Sequence, residues 1–196
     1  MLGAAVAGAA VAIAAVTPAR AAGSLPTQTG RPDPPAARLR RLIRVELLLL
    51  YCYEHVLPAP FVSGRARPVL AQQARHEQAH LRALTAELRR LAPAAPLPAG
   101  PATPAAADRA LAHRNVQGRL GQLQGEKDAL HLLLELERVV GGAYFVALTK
   151  LSSPRLIELA VSIMAAEAQH EALLGDLLYP GHPEQSVPYG LIQGVQ

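Results

Sequence analysis

The chain has 196 residues, of which 51% are hydrophobic, 17% charged and 4% aromatic, and its formal net charge is +4. This length suits one domain that buries a core unaided, and the single cysteine, Cys52, excludes a disulfide framework and a Cys-rich zinc or iron–sulfur site. Ala and Leu outweigh Val, Ile and aromatics, which favours helix and speaks against an all-β sandwich or barrel. The basic residues behind the isoelectric point of about 9.6 are scattered through helical stretches, with few aromatics to stack on bases, so no nucleic-acid partner is expected.

Leu2 to Val16 is an unbroken run of Leu, Gly, Ala, Val and Ile. It falls short of the roughly 20 residues a membrane-spanning helix needs. Ala19-Arg20-Ala21 then gives the small-x-small pattern that precedes a cleavage point at Ala22. Residues 1–21 are therefore predicted to be a signal peptide for export to the periplasm, the cell envelope or the outside. No Lys or Arg precedes the run, and an upstream start with a twin-arginine segment would complete the signal. The competing reading is a disordered or membrane-associated Ala-rich tail, which includes one retained uncleaved as a lipid-embedded anchor. Cleavage removes only Arg20 among the charges, leaving +3, and no stable membrane span is expected afterwards. The mean hydropathy of +0.17 owes part of its value to this run.

Residues 22–33 read as a leader, and the predicted bundle occupies residues 34–178. Asp33-Pro34 reads as an N-cap followed by Pro at the first helical position, opening a helix that Pro58 and Pro60 stop. Gly64 and Pro68 frame a second helix that runs to about Leu91. Residues 93–124 form a connector, Pro/Ala-rich to Pro104 and weakly helical from Asp108 to Leu123. A third long helix is predicted from about Glu126 to Leu151. A fourth, capped by Ser153-Pro154, is predicted to end near Leu178. The Pro- and Gly-containing tail, residues 179–196, reads as an ordered or wrapping loop. Short turns within each helix pair and a long link between pairs give an all-α fold, a four-helix bundle with one long crossover.

The two halves repeat each other. Glu46 and Tyr53 in the first helix match Glu137 and Tyr144 in the third, each pair seven residues apart. Glu77-x-x-His80 in the second helix matches Glu167-x-x-His170 in the fourth. The offset between halves is 91 residues for the first Glu and 90 for the second Glu and the His. Glu and His at i, i+3 share a helix face and reach one point in the core. Glu46, Glu77 and Glu137 stand among Leu, Val and Ala, where an unpaired carboxylate costs several kcal/mol and demands a cation or a proton. Four carboxylates and two neutral imidazoles carry −4, which two divalent metal ions cancel. Without metal, some of these carboxylates are expected to hold protons at raised pKa. The alternative is a metal-free bundle with satisfied polar core residues.

On these residues, over 40–178, the chain resembles the ferritin-like superfamily of dinuclear carboxylate bundles, and within it exported bacterial ferritin-like domain proteins. The resemblance implies six metal ligands: Glu46, Glu77, His80, Glu137, Glu167 and His170. It makes Glu77 and Glu167 bridging carboxylates, with Glu46 and Glu137 terminal on one metal each, and one histidine completing each metal. It implies two iron or two manganese ions, with zinc a possible occupant in vitro. The chain lacks the paired cysteines of a rubredoxin-like domain. Met164 does not fall at a haem-bridging position, so no haem is expected. The second Glu-x-x-His and the long Pro-rich connector separate it from cage-forming storage proteins.

Tyr53 and Tyr144 are expected mainly as core packing, with hydrogen bonding to ligand carboxylates or electron donation as alternatives. Cys52 reads as a small buried hydrophobe. His76 is left out of the site because it points about 100° from Glu77 around a regular helix. Glu54, His55 and Glu135 read as surface or peripheral groups, Glu135 being the rival to Glu137. Arg75 and Arg138 are candidate charge partners. Gly141-Gly142 in mid-helix costs about 2 kcal/mol against Ala. That cost suggests close helix packing, or room for a small substrate beside the metals. The functional expectation is redox chemistry of a metal pair with O2 or H2O2, as ferroxidase or peroxide scavenger. The alternatives are a non-enzymatic cell-envelope or stress-related bundle and a manganese catalase-like enzyme. A homodimer is the default assembly.

Overall fold

The computed structural model describes residues 34–186, and the leader, the signal-like run and the end of the tail lie outside them. The described residues form six helices: α1 (Pro35–Val56), α2 (Ala66–Leu91), α3 (Pro104–Ala112), α4 (Glu126–Leu148), α5 (Pro154–Leu178) and α6 (Pro183–Ser186), with a short 3-10 turn at Leu120–Gln122. α1 pairs with α2 and α4 with α5 as two hairpins; α1 lies against α4 and α2 against α5. The link from α2 to α4, with α3 and the 3-10 turn, runs along α1. This is the all-α four-helix bundle with one long crossover that the sequence predicts.

Local chemistry sets the helix ends. α1 starts one residue later than the sequence suggests: Pro35 occupies the first turn and Pro34 precedes it without a side-chain cap. Asp33, the expected cap, lies outside the described residues. Ser63 Oγ accepts from the Ala66 amide at 3.2 Å, which opens α2 ahead of Pro68. α3 opens earlier than expected because Thr103 Oγ1 accepts from Ala106 N at 3.2 Å and Pro104 supplies a fixed φ. It closes at Ala112, after which Asn115 and Gly118 take positive φ values of 59° and 88°. α4 ends at Leu148 rather than Leu151, and Arg38 of α1 donates to the freed carbonyl of Lys150. Ser153 precedes α5 without a side-chain hydrogen bond; Pro154 removes one of the orphan amides instead.

Leucines from all four long helices fill the core, with Leu48, Leu49, Leu70, Leu84, Leu133 and Leu136 almost fully enclosed. Cys52 is buried among them as expected, and burial, with Asp108 nearby, pushes its thiol up to about 12. α6 folds back on α5 at Gly175, where an added Cβ would lie 2.7 Å from Ser186 Cα. Among the described residues no helix is long and apolar enough to cross a membrane.

The paired glycines of α4 do not open beside the buried carboxylates. A Cβ on Gly141 would meet Glu171 Oε1 at 3.6 Å, and one on Gly142 would meet nothing within 4 Å. Gly142 faces the outside of the bundle, so the expected substrate space beside the metals is not what it provides. Gly142→Ala is therefore expected to raise stability by about 0.5–1 kcal/mol, through helix propensity alone. Urea unfolding checks this, and a loss of stability would show that Gly142 packs against something.

Candidate metal centre

A carboxylate in an apolar bundle is stable only if its charge is answered. Here four are grouped. Glu46, Glu77, Glu137 and Glu167 are each 0% exposed, His170 is 2% and His80 9% exposed. α1, α2, α4 and α5 bring all six sequence-predicted residues together at mid-bundle. The donor atoms fall into two sets: Glu46, Glu77, His80 and Glu167, then Glu77, Glu137, Glu167 and His170. Within each set they lie within 4.8 Å of one another, and Glu77 and Glu167 belong to both.

The two sets are near copies. His80 Nδ1 lies 3.1 Å from Glu167 Oε1, 3.3 Å from Glu77 Oε2 and 3.9 Å from Glu46 Oε2. His170 Nδ1 lies 3.0 Å from Glu77 Oε1, 3.3 Å from Glu167 Oε2 and 3.5 Å from Glu137 Oε1. Yet His170 Nδ1, Glu77 Oε1, both oxygens of Glu167, Glu46 Oε2 and Glu137 Oε2 have no hydrogen-bond partner. Such close atoms without hydrogen-bond angles point at shared space rather than at each other. Orphaned, converging N and O donors are the arrangement a cation satisfies. These residues fit metal ions.

Proton charge answers the same problem without metal. Burial, then repulsion from Glu167 and Glu77, raises Glu46 well above the usual carboxylate range. Burial, then the charge of Glu167, does the same to Glu137. At Glu77 and Glu167 burial acts upward too, but the close-lying imidazoles of His170 and His80 outweigh it and both fall below the ordinary 4.5, Glu167 to about 2. The histidines gain what the central carboxylates give. Burial works against their charge, but their carboxylate partners prevail, lifting His80 to about 9 and His170 to about 12. The outer pair are the carboxylates that meet the expectation of some raised groups; the central pair stays ionised between two imidazolium rings.

Each tyrosine crosses the bundle. Tyr53 Oη on α1 donates to Glu137 on α4, and Tyr144 Oη on α4 donates to Glu46 on α1. Core packing alone is therefore too little for these residues. Burial, then the facing carboxylate, raises both phenols well above 10, so they stay donors at neutral pH.

The sequence passed over two neighbours. Gln73 is buried one turn before Glu77; its Oε1 is 3.1 Å from Tyr53 Oη and its Nε2 donates to the His170 carbonyl at 3.1 Å. His76 is half-buried, stacked on His170 with ring centroids 5.3 Å apart, and its Nδ1 lies 3.0 Å from His170 Nε2. Burial, then the charge on His170, holds His76 below 6.5. Its place one turn before His80 was the available signal; the angle around the helix axis hid it because an imidazole reaches sideways. Glu135 faces the connector and accepts from Gln117 N at 2.5 Å, which removes the rival to Glu137. Arg138 pairs with Glu171 at 3.4 Å, while Arg75, Glu54 and His55 are exposed.

A family model described as a ferritin-like domain matches residues 37–180. No curated protein and no solved structure matches the chain.

These proton affinities set a pH dependence for the metal-free protein. His80 stabilises the fold fully below its ordinary 6.5 and loses that contribution as pH rises through about 9. Glu46 and Glu137, also raised, lose theirs from 4.5 upward. Glu167 acts oppositely, losing its contribution as pH falls from 4.5 through about 2. The melting temperature of metal-free protein is expected to fall between about pH 6 and about pH 9. A flat or rising profile would contradict this protonation pattern.

Proposed function

The chain belongs to the ferritin-like domain family, and on that premise we propose that it is an exported metalloprotein holding two iron or two manganese ions for redox chemistry with O2 or H2O2. One observation carries the reading: two four-donor sets share Glu77 and Glu167 and keep Glu46 with His80 apart from Glu137 with His170. Glu77 and Glu167, common to both sets, would hold both ions, and each remaining Glu–His pair would hold one. Four carboxylates and two neutral imidazoles balance two divalent ions, and mixed oxygen and imidazole donors suit iron or manganese, with zinc accepted in vitro. Export rests on the apolar run and the Ala19-Arg20-Ala21 pattern.

When bound, such a metal pair supplies two electrons, which with two protons reduce one H2O2 to two waters. The chain's own part is to hold the donors and the protons. Tyr53 and Tyr144 fix one oxygen of Glu137 and Glu46 and leave each Oε2 free to turn inward. The neutral His76 accepts the His170 Nε2 proton and so reserves Nδ1 for a metal. Gln73 ties Tyr53 to the backbone of α5. The leucine core keeps bulk water from the six donors.

Metal entry must expel the protons that balance the empty cluster: one each from Glu46, Glu137, His80 and His170. Loading two divalent ions at about pH 7 is thus expected to release about four protons, read as the buffer dependence of the binding enthalpy. Release of none would contradict the ligand set. The function is tested on protein loaded with iron or manganese. Fe²⁺ oxidation or H2O2 consumption by wild type, lost in Glu77→Ala/Glu167→Ala, is expected. Bound metal without turnover would place the chain with structural bundles instead, and rapid O2 release from H2O2 by the manganese form would make it catalase-like.

A further inference from the structure

Away from the carboxylate cluster, a groove of about 610 Å³ lies between the outer faces of α1 and α4 and is closed at one side by Arg114, just beyond α3. That volume is in the range of small-molecule sites, about 300–1,000 Å³. Arg38, Arg41 and Arg44 recur every three residues along α1, and Lys150 and Arg114 complete the rim. Among the described residues no carboxylate lines it. The floor is apolar, formed by Val45, Val139 and Ala143, with Val146 54% exposed at its edge and Gly142 leaving the centre open.

Two of the cations are held in a way that asks for an anion. Arg38 is only 7% exposed; it donates to the Lys150 carbonyl, yet its Nε is buried with no hydrogen-bond partner. Arg114 is half-buried and its guanidinium donates to the Ala110 carbonyl at 3.0 Å. Burial disfavours its charge, lowering its pKa. A guanidinium removed from water and answered only by carbonyls is costly until a carboxylate or phosphate pairs with it. A second copy of the chain closing this face about a twofold axis would set the same cations against each other, which disfavours that occupant.

We propose that the α1–α4 groove binds a small amphiphilic anion, its phosphate or carboxylate head on the basic rim to which Arg114 belongs and its aliphatic body along Val45, Val139 and Gly142. This site is independent of any metal in the bundle. The apolar floor favours an amphiphile with a single aliphatic chain over a bare ion, because a bare ion would leave that floor uncovered.

Dodecyl phosphate below its micellar concentration is the probe, titrated calorimetrically into the whole chain. Saturable one-to-one binding is expected, at least tenfold weaker in Arg114→Gln. In Gly142→Leu it should be at least tenfold weaker too, because the leucine fills the floor where a Cβ meets no neighbour. Melting temperatures no lower than that of wild type would show both variants folded. Inorganic phosphate is expected to bind far more weakly, and equal affinity would overturn the amphiphile. Vesicles of phosphatidylcholine with phosphatidylglycerol test the bilayer as source. Vesicle binding weakened by both variants supports a lipid head in the groove, while vesicle binding indifferent to them, without binding of the monomeric probe, overturns the site. Binding of dodecyl phosphate unaffected by both variants would also overturn it, as would a wild-type dimer in sedimentation that Gly142→Leu dissociates.

Discussion

Four carboxylates enclosed in one apolar bundle are the constraint on which the rest of the structure turns. Desolvation alone makes such a cluster untenable, so each carboxylate needs a proton, a cation or a donor within reach. The chain supplies all three kinds of answer. His80 and His170 stand between the central pair, tyrosines cross to the outer pair, and converging orphaned oxygens leave space that metal ions fit. Leucine packing around the cluster keeps water out and makes each of these contacts matter more than it would at a surface.

Duplication turns this into a symmetric device. The Glu of α1 is held by the Tyr of α4 and the Glu of α4 by the Tyr of α1, so the two halves are tied across the site rather than merely stacked. The Glu-x-x-His pairs of α2 and α5 face each other between them. Symmetry ends at His76, which stacks on His170, while Arg75 and Glu77 beside it face solvent and core. One half of the cluster therefore has a histidine reaching toward solvent.

The architecture was legible because period and punctuation agree: apolar stripes at helical spacing, prolines near each boundary and one long Pro/Ala-rich link. The six clustered side chains were legible because polar residues at matched offsets on apolar faces are hard to explain otherwise. What the sequence hid was chemistry decided between elements. Whether Tyr53 packs or donates depends on which helix faces it, and α4 faces it with Glu137. Gln73 and His76 lie one turn from predicted residues, but only the position of α5 shows that both meet His170. The division of protons, outer carboxylates raised and central ones lowered, follows from the placement of two imidazoles and no residue count contains it. Ser153 looked like a cap, yet its hydroxyl caps nothing.

Glu77 and Glu167 belong to both donor sets and so lie between two candidate cation positions. Anomalous diffraction from crystals of the manganese- or iron-loaded protein tests this most directly. It should show two peaks roughly 3.5–4 Å apart, one beside Glu46 and His80 and the other beside Glu137 and His170. A single peak, or metal bound only at the protein surface while the six side chains keep to themselves, would contradict it.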